Sequence, residues 1–217
     1  MICNVIATGS TGNAVLVNDC ILIDCGVSWK ALQPYSDRIK LVLLTHQHGD
    51  HFKPSTVRAL HTERPSVPFA CCEWMAWRLR QADVDPMQIN VMQPGRLYTF
   101  GAFGVSVSPQ FIPHNVPNCG WHIFTPDGQR AFYATDCSTL ETVSALNYDL
   151  YMIEANHSAE EIARRIKEKM DAGEFAYELQ AAKNHLSEEQ AREWLAANAG
   201  DKSKYVFLHQ HHEKNPQ

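Results

Sequence analysis

Three imidazoles and one carboxylate fall within the run Thr45-His46-Gln47-His48-Gly49-Asp50-His51. Imidazole nitrogen and carboxylate oxygen are the donors that zinc accepts, and carboxylate oxygen also suits manganese. The run follows Leu41-Val42-Leu43-Leu44, a continuous apolar stretch that reads as a strand buried on both faces. In a loop leaving such a strand, His46 and His48 can grip one metal while Asp50 and His51 turn toward a neighbouring one. A solvated polar loop is the weaker reading, because an apolar strand rarely ends in four ligand-type residues by accident.

Four side chains do not saturate two metals, so further ligands are expected at other strand ends. His114 follows Phe111-Ile112-Pro113, Asp136 follows Phe132-Tyr133-Ala134-Thr135, and His209 follows Tyr205-Val206-Phe207-Leu208. The tail His209-Gln210-His211-His212 leaves the register of the last ligand open. His209 fits best because it is nearest the strand, His211 is the fallback, and His212 reads as a surface histidine.

The elements that must position these residues are mostly short strands. Residues 2–7, 13–17, 21–24, 41–45 and 67–71 are apolar runs separated by turn residues, and the β pattern returns from 89 to 112. Residues 121–125 and 130–135 read as a hairpin around Pro126-Asp127-Gly128, followed by strands at 150–153 and 205–208. Helices are expected from Ser28 to Leu32, from Pro54 to His61 with Pro54 in the first turn, and from Glu73 to Gln81. Two more are expected at 158–170 and 188–197. Trp74, Met75 and Trp77 read as packing residues, and His61 and His122 as structural. Arg164, Arg165, Lys167 and Lys169 read as a solvated helix face with Glu160, Glu161 and Glu168 as partners. Such a mixture suggests sheets packed face to face beneath helical layers.

The pattern His-x-His-x-Asp-His, followed by a distant His, an Asp and a late His, resembles the metallo-β-lactamase superfamily over nearly the whole chain. Gly9-Ser10-Thr11-Gly12-Asn13, Ile23-Asp24-Cys25-Gly26, Ile153-Glu154-Ala155-Asn156-His157 and Asn184-His185-Leu186-Ser187 resemble its YycJ/WalJ-type branch, which is similar to ribonuclease Z in the catalytic core. The resemblance implies an α/β fold, a four-layer αβ/βα sandwich forming one domain over residues 1–217. It implies two divalent metal ions, zinc first and manganese second. His46, His48 and His114 would hold one, and Asp50, His51 and His209 the other, with Asp136 as the bridge. Asp24 resembles an early aspartate that supports the ligand loop, though a turn-capping role is equally open. Oxygen-handling relatives with di-iron sites carry Glu where this chain has His48, so His48 speaks for hydrolysis.

The same resemblance assigns catalysis to Asp50, His185 and Glu154. His185 would give a proton to the leaving oxygen and Glu154 would orient it, and an imidazole suits proton donation near neutral pH. Ser187 and Gln190 form a capping-box pattern, which explains Ser187 without explaining His185. His157 is read either as a pocket residue or as an ordinary loop residue.

The chain has 217 residues, a formal net charge of -5, 45% hydrophobic and 20% charged residues, a globular balance with no general basic character. Seven cysteines without a C-x-x-C pair, and a start lacking a basic segment before an apolar run, lead to the expectation of free thiols in a reducing cytoplasm. No stretch is apolar enough to suggest a membrane span. Similar proteins are commonly dimers, so a homodimer is the expected assembly.

The expected activity is hydrolysis of a phosphodiester with a metal-activated water. The substrate is a nucleic acid, as in the YycJ-type proteins, or a cyclic nucleotide, as in compact ribonuclease-Z-like proteins. The acidic charge favours the smaller ligand. A thioester or lactone hydrolase of the glyoxalase-II-like or lactonase-like type is the alternative, and a metal-stabilised binding domain is a third reading.

Overall fold

A computed structural model describes residues 1–210; the alternative ligand His211 and the surface assignment of His212 lie outside them. The first sheet contains β1 (Cys3–Ala7), β2 (Ala14–Val17), β3 (Ile21–Ile23), β4 (Leu41–Leu43), β5 (Phe69–Cys72) and β6 (Ile89–Met92), ordered as in the sequence. The first two pairings are antiparallel and the remaining three parallel. Parallel neighbours need a crossover, and α1 (Trp29–Leu32), α2 (Pro54–Glu63) and α3 (Glu73–Gln81) supply the connections. Pro54 occupies the first turn of α2, where its missing N–H is harmless.

The second sheet is ordered β12-β11-β10-β9-β8-β7. Its strands are β7 (Tyr98–Phe100), β8 (Val105–Ile112), β9 (Asn118–Phe124), β10 (Arg130–Ala134), β11 (Leu150–Glu154) and β12 (Lys204–Leu208). The expected hairpin is the antiparallel β9–β10 pair, and β10, β11 and β12 run parallel. Three helices lie between β11 and β12: α4 (Ala159–Asp171), α5 (Glu178–Asn184) and α6 (Glu188–Asn198).

Side chains alternate across a strand, and this sorts the apolar residues into layers. Ile21, Ile23, Leu41 and Leu43 face inward, where they meet Val107, Trp121, Tyr133 and Met152 of the second sheet in one buried cluster. Their neighbours Leu22 and Val42 face outward onto a cluster with Val57, Leu60, Met75 and Leu79 of α2 and α3. On the far side, Phe132, Tyr151 and Ile153 pack on Ala191, Trp194 and Leu195 of α6. The result is the expected helix–sheet–sheet–helix sandwich. Each fully buried aliphatic or aromatic side chain contributes roughly 1.5–3 kcal/mol, whereas an exposed ion pair contributes about 0–1 kcal/mol. These three clusters, rather than the Arg164–Glu168 and Arg165–Glu161 pairs of α4, therefore hold the layers together.

Two side chains depart from the sequence reading. Trp77 is 64% exposed: Met75 and Leu79 fix the inward face of α3, and at 100° per residue Trp77 points away from it. Lys169 leaves the solvated face of α4 and pairs with Glu178 of α5 at 2.6 Å. His61 and His122 are structural, as expected: His61 Nε2 accepts from the Asp85 amide, and His122 Nδ1 meets the Tyr148 hydroxyl. All seven cysteines are free, and no helix of the described residues is long and apolar enough to cross a membrane.

Candidate metal centre

The loop after β4 and the ends of β8, β10 and β12 bring the seven expected ligands together. Parallel strands present their carboxyl ends on one side, and ligands in such sheets gather there. His46 and His51 are fully buried, Asp136 and His209 nearly so. His46, His48, His114 and Asp136 form one group whose potential ligand atoms all lie within 4.8 Å of one another, and Asp50, His51, Asp136 and His209 form a second. Asp136 is common to both. Its Oδ2 is 3.1 Å from His46 Nε2, 3.1 Å from His51 Nε2 and 3.8 Å from His114 Nε2, and its Oδ1 is 3.2 Å from His209 Nε2.

Backbone geometry contributes to the convergence. Asp24 directly after β3, Asp136 after β10 and His209 directly after β12 adopt positive φ of 61°, 54° and 54°. This left-handed conformation is uncommon for residues other than glycine, though Asn and Asp adopt it most readily, and Asn18, Asp19, Asp83 and Asn147 share it in turns. At Asp24, Asp136 and His209 it turns each side chain sharply off its strand. Gly26 serves a different need, close approach: a Cβ there would lie 1.6 Å from the Asp50 carbonyl oxygen.

Asp24 sets the tautomer of one histidine in each group. Buried completely, it accepts from His51 Nδ1 at 2.7 Å and from both the amide and the hydroxyl of Thr45 at 3.0 Å. With its proton given to Asp24, the Thr45 oxygen accepts from His46 Nδ1 at 2.9 Å. His46 and His51 therefore both turn Nε2 toward Asp136, the nitrogen whose lone pair a bound metal would take. His114 is fixed similarly, its Nδ1 facing the Asn184 carbonyl at 3.3 Å. Asp24→Ala is accordingly expected to weaken binding of the more weakly held metal by about 10–100-fold, measured by competition with a chromogenic chelator; unchanged affinity would return Asp24 to a turn-capping role.

The residues fit a pair of divalent cations. Ligand bonds of about 2.0 Å in a tetrahedral arrangement place donor atoms about 3.3 Å apart, and His48 Nδ1 lies 3.1 Å from His46 Nε2 and 3.3 Å from His114 Nε2. Lone pairs converging at such distances repel one another unless a cation or proton lies among them. Burial would raise the Asp136 carboxyl, but His51, His46 and His209 hold it well below the usual carboxylate range. Burial would lower His51, but the charges of Asp136 and Asp24 push it well above its ordinary value. His114, lacking so close a carboxylate, is lowered by burial to about 4. Asp136 Oδ1 is buried without a hydrogen-bond partner among the described residues. The chemistry of the set is that of an anionic cradle that calls for positive charge.

Residues 20–209 match the family described as "Beta-lactamase superfamily domain". The chain belongs to the beta-lactamase superfamily. It is 26% identical, over 94% of its own length and 80% of the other protein's, to a Bacillus anthracis protein named exodeoxyribonuclease YycJ. Among solved structures, the metallo-β-lactamase-fold protein YhfI from Bacillus subtilis superposes with a TM-score of 0.72 at 18% identity, covering 96% of this chain and 85% of that one. The short form of human tRNase Z superposes with a TM-score of 0.68 at 17% identity, covering 97% and 92%. The fold is thus that of the metallo-β-lactamase sandwich, and membership in this superfamily together with the histidine–aspartate groups marks a divalent-metal site.

Beside these residues lies a second arrangement. Glu154, completely buried at the end of β11, accepts from the amides of Cys137 at 2.9 Å and Leu186 at 3.2 Å and pairs with His185 Nδ1 at 2.6 Å. Burial would lower His185, but the bond and charge of Glu154, with Asp136 and Asp50 nearby, raise it above its ordinary value. Glu154, His185, Asp136 and His209 also form a group close enough to hold an ion, yet the short Glu154–His185 bond already engages those two side chains with each other. The Ser187–Gln190 capping box is present and starts α6 just beyond.

Some of the contributors were not assigned a role from sequence. Asn156 donates to the His209 carbonyl at 2.8 Å and lies 3.0 Å from His209 Nδ1. The side-chain Nδ2 of Asn13 lies 2.8 Å from His51 Nε2 and donates to the Asp50 carbonyl at 3.2 Å. Both belong to motifs of the YycJ-type resemblance, which was the available signal. His157 lines the adjoining cavity with the Thr8–Thr11 loop, His185, His209, and residues of α4 and α5. Helix α5 itself was missed, because residues 178–184 are too few to show a helical period.

Proposed function

We propose that this chain is a dinuclear-metal phosphodiesterase acting on nucleotide or nucleic-acid substrates, with residues 1–217 as one catalytic unit. The observation that carries the reading is the Glu154–His185 pair placed against a complete two-metal donor set. The named activity of the YycJ relative, an exodeoxyribonuclease, and the tRNase Z structure point the same way. His46, His48 and His114 would hold one cation, Asp50, His51 and His209 the other, and Asp136 both. Two such cations, when bound, lower the pKa of water and stabilise charge developing on the attacked group.

The protein's own residues supply the remaining chemistry. His185 holds a proton for the departing oxygen, Glu154 fixes the ring through Nδ1, and the Cys137 and Leu186 amides fix Glu154. A thioester hydrolase expels a thiolate, a good leaving group that needs no such donor, which favours the phosphodiester over a thioester. Zinc suits the five-imidazole set better than manganese. A homodimer and a cytoplasmic setting belong to the same reading through the resemblance to YycJ-type proteins.

Purified protein supplied with zinc or manganese should be assayed on single- and double-stranded DNA, RNA, cyclic mononucleotides, an aryl phosphodiester and a thioester. Turnover of one nucleotide class and of the aryl phosphodiester is expected, with DNA the first candidate. Thioester turnover with inert phosphodiesters would overturn the reading.

A further inference from the structure

The cavity adjoining the metal centre has a volume of about 630 Å³, within the range of about 300–1,000 Å³ that small-molecule sites occupy. It is lined by His185 and His209, by the Thr8–Thr11 loop, and by residues of α4 and α5, with Tyr177 and Glu178 among them. Glu178 is only 4% exposed. Its Oε1 pairs with Lys169 Nζ at 2.6 Å, and that bond holds its carboxyl below the ordinary glutamate value. The other oxygen, Oε2, is buried without a hydrogen-bond partner among the described residues.

An ionised carboxylate only accepts hydrogen bonds. A buried acceptor left without a donor carries a desolvation penalty, and unexplained instances in a folded protein mark strain, function or an absent ligand. Glu178 lines the cavity and the terminal torsion of glutamate is broad, so a turn of the carboxylate, with the flexible Lys169 side chain following Oε1, would bring Oε2 to the cavity. The proposed chemistry does not use this carboxylate, which belongs to neither histidine–aspartate group.

We propose that Glu178 is a specificity residue: its second carboxylate oxygen accepts a hydrogen bond from a hydroxyl or amino donor on the nucleoside part of the substrate, seated in this cavity beside the scissile phosphate. The inference rests on the phosphodiesterase reading for the identity of the ligand. Sugar hydroxyls and base N–H groups offer the same chemistry, and both sources are separable by experiment.

The wild-type protein, Glu178→Gln and Lys169→Met, each loaded with zinc, should be titrated by calorimetry with inorganic phosphate and with guanosine, 2′-deoxyguanosine, adenosine and cytidine 5′-monophosphates. The wild type is expected to prefer one nucleotide by about tenfold or more over phosphate and the other nucleotides, the scale of a hydrogen bond to a charged group. Glu178→Gln should lose that preference and keep its affinity for phosphate. Loss of the ribose-over-deoxyribose difference would place the donor on the sugar, and loss of the ranking among bases would place it on the base. Lys169→Met keeps the carboxylate and should keep the ranking. Equal losses in both variants would show that Glu178 merely tethers α5 to α4, and no change in Glu178→Gln, or no nucleotide preference in the wild type, would overturn the proposal. Turnover of an aryl phosphodiester, which carries no nucleoside, separates the two questions: it should be unchanged in Glu178→Gln, and its absence in the wild type would count against the catalytic reading instead.

Discussion

Asp136→Ala should bind no stoichiometric pair of divalent ions and lose turnover by about a thousandfold or more. Its carboxylate oxygens lie 3.1–3.2 Å from nitrogens of His46, His51 and His209, and it is the one residue common to both ligand groups. Metal-borne charge stabilisation is worth several kcal/mol, and each 1.4 kcal/mol is a factor of about ten in rate. A thermal experiment distinguishes loss of metal from loss of fold. A cation that binds only the folded state stabilises it according to its concentration over its Kd, so the wild-type Tm should rise on adding zinc. That rise should vanish in Asp136→Ala when measured against the variant's own metal-free Tm, which is the proper reference because the substitution also removes a buried partner of His46, His51 and His209. Two metals per chain in the variant, measured by elemental analysis, would remove Asp136 from the bridging position.

His185→Ala should keep both metals and lose about 10²–10⁴-fold in turnover on substrates whose leaving group is an alkoxide, the usual range for a positioned proton donor. On an activated aryl phosphodiester, whose leaving group departs without a proton, the loss should be much smaller. The surroundings of His185 suit a proton donor. Its Nδ1 is bound to Glu154 at 2.6 Å, its side chain is one-fifth exposed, and it lines the cavity. Glu154→Gln replaces an acceptor that also receives two backbone amides, so it should reproduce the same dependence on leaving group with metal content intact. Equal losses on both ester types in His185→Ala would make His185 a structural residue.

The placement of these groups follows from strand ends. His46, His48, Asp50 and His51 were legible because they are contiguous and follow an apolar run. His114, Asp136 and His209 were legible because each also follows one. The fold was legible for the same reason: continuously apolar runs such as β3 and β4 mark strands buried on both faces, and the parallel strands require helical crossovers. Helix α5 was not legible, and with it went the cavity wall that carries Tyr177 and Glu178. Lys169 read as part of a solvated face, since its partner lies on a different helix.

By itself, the sequence determined the donor types, their order along the chain and the layers that carry them, because composition and local periodicity are properties of neighbouring residues. Only the tertiary structure decided which nitrogen of each histidine faces the centre, that Asp24 orients His51 directly and His46 through Thr45, and that a buried glutamate oxygen on the cavity wall lacks a donor. Those features depend on side chains tens to hundreds of positions apart meeting at hydrogen-bond distance, and no local pattern encodes such a meeting.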